Sequence, residues 1–146
     1  MTQRSEALHT LLTRLLDSRA GYEEAIEYVD TPSLKSTMSD LMERRSRNAA
    51  EVRGYLEQLG ETVDDDRSLL ARAHRLFIGF KDAVTGKDDD AVLAEVVRGE
   101  KTLRDAYDEA ITAAGGNDPE FDFLVAQHDS LNQAIHELEP RHRDAA

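Results

Sequence analysis

The sequence predicts an all-α fold: a four-helix bundle with a long crossover between its second and third helices and a short extra helix inside that crossover. Three observations carry the prediction. Apolar residues recur at steps of three, four and seven through nearly all 146 residues, which places them on one stripe of each helix. Prolines and glycines punctuate the stripes where helices start and stop. The stretch from Gly60 to Asp88 is far longer than the other connections and holds its own apolar stripe.

Taken in order, Leu8, Leu12, Leu15, Tyr22, Ile26 and Val29 outline a first helix over about 5–29. Thr31-Pro32 reads as an N-cap and first helical position. Leu34, Met38, Leu41, Ala49, Val52, Leu56 and Leu59 then mark a second helix over 32–59, closed by Gly60. Within the crossover, Leu69, Ala73, Leu76, Phe77, Phe80 and Val84 predict a short helix over 67–84, ended by Thr85-Gly86-Lys87. Asp88, Asp89 and Asp90 complement the positive end of a helix over 89–114, whose stripe is Val92, Val96, Gly99, Leu103, Ala106, Tyr107, Ala110 and Ala114. Gly115-Gly116 closes it. A last helix over 119–139 starts after Asn117 or Asp118 at Pro119, turns Phe121, Leu124, Leu131, Ile135 and Leu138 inward, and has Pro140 near its end. The chain reads as one domain over 1–146.

A crossover with its own helix is long enough to span a bundle of roughly 40 Å, at 1.5 Å per helical residue. One long crossover between helices two and three, with short turns elsewhere, is the ferritin-like arrangement. A faint internal echo, Gly21-Tyr22-Glu23-Glu24-Ala25-Ile26 against Ala106-Tyr107-Asp108-Glu109-Ala110-Ile111, is consistent with two related hairpins.

Composition narrows the partners. A formal net charge of −12 argues against nucleic acid and anionic membrane, whose binding depends on clustered Lys and Arg. No segment is long and apolar enough to span a bilayer, and the first residues lack the apolar core of a signal peptide. The absence of cysteine removes thiolate chemistry and suits a reducing cytoplasm. The expectation is a soluble cytoplasmic protein.

Several residues together resemble an uncharacterised bacterial branch of the ferritin-like superfamily, a family of four-helix-bundle domains of unknown function. They are Gly21-Tyr22 with Glu24 to Glu27, Arg45 and Glu51, the aromatic crossover ending in Thr85-Gly86, Arg98-Gly99-Glu100 with Tyr107, and His136. The resemblance covers most of the chain. It implies the fold and says almost nothing about activity.

Di-iron members of the superfamily place a Glu on two helices and a Glu-x-x-His on each of the other two, because two divalent ions need converging carboxylates and imidazoles. Here the second helix has Arg45 and Asn48 at the inward positions, where an acid and a histidine would be required. The fourth offers Gln133 three before His136, with an amide in place of the acid. The first-helix counterpart of Glu100, by the internal echo, is Leu15. The expectation is no cofactor. Its alternative is iron or another divalent ion at a degenerate site drawn from Glu23, Glu100, His128 and His136.

On a helical wheel Arg19, Arg45, Glu100 and His128, one from each long helix, point toward the core at neighbouring levels. A buried unpaired charge costs several kcal/mol, so the arginines require Glu100 or an edge acid such as Glu23. The expectation is an ionic core in which arginine charge stands where metal charge would. Tyr22 and Tyr107 are expected in the core with hydroxyls reaching it. The bland alternative is that one or both arginines snorkel to solvent.

Other chemistry is sparse. No Gly-x-Ser-x-Gly or phosphate-cradling loop occurs, and neither Asp64-Asp65-Asp66 nor Asp88-Asp89-Asp90 continues into an EF-hand pattern. His9, His74 and His142 fall on outer or tail positions and receive no role. Leu76, Phe77, Ile78 and Phe80 concentrate more apolar surface than one face of a short helix hides, which predicts a homodimer seam or a partner groove. The functional expectation is a non-catalytic bundle acting by self-association, as a homodimer or other homo-oligomer, or through an unidentified protein partner, with stress physiology as its setting by analogy. The competing class is a metal-binding or oxidative iron protein.

Overall fold

The computed structural model describes residues 3–72, 89–115 and 119–145. Helix α1 spans Gln3–Tyr28, α2 Pro32–Gln58, α3 Asp66–Arg72 and α4 Asp89–Ala114; a 3-10 turn over Pro119–Phe121 leads into α5, Asp122–Ala145. The described residues contain no strand. The long helices form a bundle in which α1 packs closely against both α2 and α4, and α4 against α5.

Direction follows from which ends touch. Thr31, before α2, meets Asp89 at the start of α4, while Arg4 near the start of α1 reaches the Ala114 carbonyl at the end of α4. Helices α2 and α4 therefore run parallel, and the chain between them must travel the length of the bundle. This is the crossover topology expected from the sequence.

The predicted stripes are largely the buried surface. All eight α4 stripe residues are buried, as are Leu8, Leu12, Leu15, Tyr22 and Val29 in and just after α1 and Phe121, Leu124, Leu131, Ile135 and Leu138 toward the C-terminal end. Leu59 is a correction, since it lies 46% exposed. The helix ends one residue earlier, and Leu59 sits in the turn, where its side chain leaves the stripe. Gly60 supplies the left-handed conformation (φ 83°) that lets its own N–H reach the Glu57 carbonyl and the Glu61 N–H reach Leu56.

Pro140 does not stop the last helix, which runs to Ala145 instead of 139. Proline forfeits one backbone hydrogen bond and crowds the carbonyl four residues back, but that penalty falls on one turn of a long helix. The described part of the predicted 67–84 helix is α3. Leu76, Phe77, Ile78 and Phe80 lie outside the described residues.

The start of α2 is held differently from the N-cap reading. Thr31 makes no side-chain bond to its own helix. Its hydroxyl donates to Asp89 Oδ2 at 2.5 Å, and the Asp30 and Thr31 amides donate to Asp89 at 2.8 and 3.2 Å. A carboxylate on α4 thus closes the α1–α2 turn.

The core consists of two apolar clusters. One gathers Leu8 to Leu16 with Ala49, Val52, Leu56, Leu103 and Tyr107; the other gathers Tyr22 and Ala25 with Met38, Leu41 and Val92 to Val97. Each fully buried aliphatic side chain contributes about 1.5–3 kcal/mol. The gap between the clusters, at Ser18, Arg45 and Glu100, is polar and buried.

Candidate functional site

That gap is filled by an ion pair. Arg45, on α2, sets Nε at 3.0 Å and Nη2 at 2.5 Å from Oε2 of Glu100, on α4, and neither residue reaches solvent. Two residues of α1 complete the carboxylate: Ser18 Oγ donates to Oε1 at 2.6 Å and the Tyr22 hydroxyl to Oε2 at 2.8 Å. Ser18 lies four residues before Tyr22, so both donors rise from one face of α1. Gly99, buried beside Glu100, keeps the α4 backbone free of a side chain at this level.

The electrostatics follow from burial. Burial disfavours the Arg45 cation, yet the adjacent Glu100 outweighs it and holds the guanidinium more firmly protonated than in water. Burial first, and then the Glu100 charge, push the Tyr22 hydroxyl well above the usual range, so it remains a donor. Tyr107 is raised chiefly by burial as well. Its hydroxyl donates to Gln127 Oε1 at 2.7 Å, extending the polar layer toward α5. Arg45 Nη1 and Gln127 Nε2 are buried donors with no acceptor among the described residues.

Of the four residues expected to converge, Arg45 and Glu100 meet; Arg19 and His128 do not join them. Arg19 Nη1 lies 3.4 Å from Asp66, with the side chain a quarter exposed. Arg53 holds the same carboxylate at 2.5 Å, so Asp66, the first residue of α3, is clasped from α1 and α2. The physical reason is the length of the arginine stem. A residue at the edge of a stripe carries its charge outward when an exposed acid waits there. His128 turns its Nε2 to Asp108 at 2.9 Å and sets its ring edge-on to Tyr107, at the rim of the layer. His9, given no role from sequence, shares Glu61 with Ser5, at 3.2 and 2.6 Å.

The alternative ligand set is scattered. Glu23 and His136 are exposed, and His128 is engaged by Asp108. Among the described residues, no three His, Asp or Glu side chains gather closely enough to hold a metal ion. Glu100 is the buried carboxylate at the convergence point, and both of its oxygens already accept from Ser18, Tyr22 and Arg45. A guanidinium against Oε2 repels a divalent cation. These residues do not fit the di-iron centre that the resemblance to ferritin-like proteins implies.

The comparisons agree with this architecture. A family profile described as Domain of unknown function (DUF2383) matches residues 3–113. The chain belongs to this family. The X-ray structure of a Dps point mutant from Listeria innocua superposes with a TM-score of 0.79 at 20% sequence identity, covering 97% of this chain and 96% of that one. The fold is that of the ferritin-like four-helix bundle. No curated protein matches at a significant level. The DUF2383 match takes in Ser18, Tyr22, Arg45 and Glu100, the buried carboxylate with all of its donors, and ends before Gln127. None of the described helices is long and apolar enough to cross a membrane.

Ser18 was missed by the sequence reading. Its signal was available: a serine between Leu15 and Tyr22 on the apolar stripe of α1 invites a buried acceptor.

Proposed function

We propose that this protein is a non-catalytic cytoplasmic bundle that works through its surface, by self-association as a homodimer or larger homo-oligomer or by contact with a protein partner. One observation carries the reading: the carboxylate between the two core clusters is closed by an arginine, a tyrosine and a serine, so both of its oxygens are engaged within the protein. A site that activates oxygen or holds iron needs exchangeable positions. A closed ion pair instead favours one alignment of α1, α2 and α4, since any slip of register strands a buried charge. A setting in stress physiology rests on analogy with the superfamily alone; a deletion strain with no fitness cost under oxidative or osmotic challenge would remove it.

The deciding experiment is elemental analysis of untagged protein purified without chelators, repeated after anaerobic ferrous loading. Metal at background level is the expected result. About two metals per chain, lost together in Glu100→Ala, would move the protein to the di-iron class. Sedimentation velocity across a wide concentration range tests the self-association arm.

A further inference from the structure

The segment that leaves α2 is held to the bundle by a different kind of contact from the long helices. From Glu61 to Ala71 every residue is at least partly exposed, whereas α1, α2 and α4 each bury an apolar stripe. Val63, Leu69 and Leu70 rest, partly buried, on the cluster that contains Leu8 to Leu16. The other attachments are polar. Ser5 and His9 on α1 meet Glu61 Oε1 at 2.6 and 3.2 Å. Arg53 on α2 donates through Nη1 to the Asp64 carbonyl at 2.9 Å and through Nη2 to Asp66 Oδ1 at 2.5 Å, and Arg19 on α1 reaches the other oxygen of Asp66 at 3.4 Å.

Charge complementarity runs through these contacts. Glu61, Asp64, Asp65 and Asp66 make the segment strongly acidic, and the ionisable groups that meet Glu61 and Asp66 from α1 and α2 are His9, Arg19 and Arg53. Helix α3 is also tied to its own start: the Ser68 amide donates to Asp65 Oδ1 at 2.8 Å and the Leu69 amide to the Asp65 carbonyl at 3.0 Å, the pattern of an N-cap. Spanning only Asp66–Arg72, it is too short to persist as a helix in water. Undocking and unfolding of α3 are therefore one event.

An exposed ion pair shifts an equilibrium by about fivefold at most, and salt screens it. A segment whose side chains all keep some contact with water opens at a lower free energy than the stripes packed in the core. We propose that residues 61–72 form a charge-latched strap, held by Arg19 and Arg53 through Asp66, that undocks from α1 and α2 as a unit while the bundle stays folded. Ionic strength sets how often it opens. Each opening lays bare the apolar flank beneath Val63, Leu69 and Leu70. The strap is a property of the fold and does not depend on the surface-contact reading above.

The test is native-state amide hydrogen exchange of the full chain at fixed pH, in about 0.05 M and about 1 M sodium chloride. After correction for intrinsic rates, the amides of Leu69, Leu70 and Ala71 should exchange at least about a hundredfold faster than those of Val52 and Val96. High salt should speed the α3 amides by a further threefold to tenfold or so, relative to the two core references. Arg53→Gln, which removes both the Asp66 pair and the Asp64 bond, should bring a similar acceleration at low salt, lose most of the salt response and leave the thermal midpoint unchanged. Exchange of the α3 amides at the rate of Val52 and Val96 would overturn the proposal, because the strap would then open only with the whole bundle. So would α3 rates unmoved by salt or by Arg53→Gln, since charge would not be the latch. A midpoint lowered in step with the α3 rates in Arg53→Gln would also overturn it, by placing Arg53 in the stability of the bundle itself.

Discussion

Arg45 places two of its nitrogens on a single oxygen of Glu100, 55 residues away in sequence, with both side chains shut off from water. The remaining oxygen is taken by Ser18. The pair divides the apolar core into two clusters and ties α2 to α4 by charge at the level where α1 supplies its two hydroxyls.

Removing one partner should therefore cost far more than removing both. Glu100→Gln leaves a buried guanidinium without its anion and is expected to destabilise by about 3–5 kcal/mol in chemical denaturation. Arg45→Met in the same chain should recover most of that loss, because the Gln carbonyl can accept from one of the Ser18 and Tyr22 hydroxyls while its amide N–H donates to the oxygen of the other. A Glu100→Gln variant as stable as the parent at neutral pH would remove the ion pair from the account of the fold.

The outer arginine gives the control. Arg19 pairs with a half-exposed Asp66 that Arg53 also holds. Arg19→Met should cost less than about 1 kcal/mol, and the cost should shrink further in high salt. Similar losses for Arg19→Met and Arg45→Met would mean burial does not distinguish them.

The Asp89 bridge predicts an acid-sensitive contribution. Burial pushes this carboxyl up, but the Thr31 hydroxyl and the Asp30 and Thr31 amides more than offset it and hold the group below its ordinary 3.8. Stabilisation from a depressed carboxyl is present above the unfolded value and is lost as pH falls through the folded one. Asp89→Ala should lower stability by about 1 kcal/mol at pH 7, as for loss of a helix cap. Thermal melts of parent and variant should converge as the pH falls below the ordinary 3.8 and through the folded value.

At the other end of the scale, Tyr22 and Tyr107 are both raised above their ordinary 10.0, by burial first. A raised acid is favoured folded below the unfolded value, and that advantage disappears as pH climbs above 10. In a spectrophotometric alkaline titration these two of the four tyrosines should ionise only as helical circular dichroism is lost. Tyr22→Phe should remove one such step and cost about 1.5–3 kcal/mol, the range for a hydrogen bond to a charged group. Early, fully reversible ionisation of both would contradict their placement in a closed core.

The two arginines also show where sequence reasoning is strong and where it stops. A helical wheel turns Arg19, Arg45, Glu100 and His128 inward alike. It gives each an angle but not a partner, so it does not separate Arg45 and Glu100, which are buried, from Arg19 and His128, which are partly exposed. Their partners, Asp66 and Asp108, are found only once α3 is laid over α1 and α2 and α4 is set beside α5. Asp89 makes the same point, since its charge at a helix start is legible while its hold on Thr31 across 58 residues is not.

From the sequence alone, the period of the apolar residues determined the helices, and the long Gly60–Asp88 connection determined that α2 and α4 run parallel. Both are one-dimensional signals, set by helix pitch and chain length. Tertiary structure decided which polar groups meet. Ser18 and Tyr22 on one oxygen pair, with Arg45 turned inward and Arg19 outward, all depend on the few ångströms between helix axes. A hydrogen bond or ion pair is won or lost over such distances, whereas burial of a stripe is not.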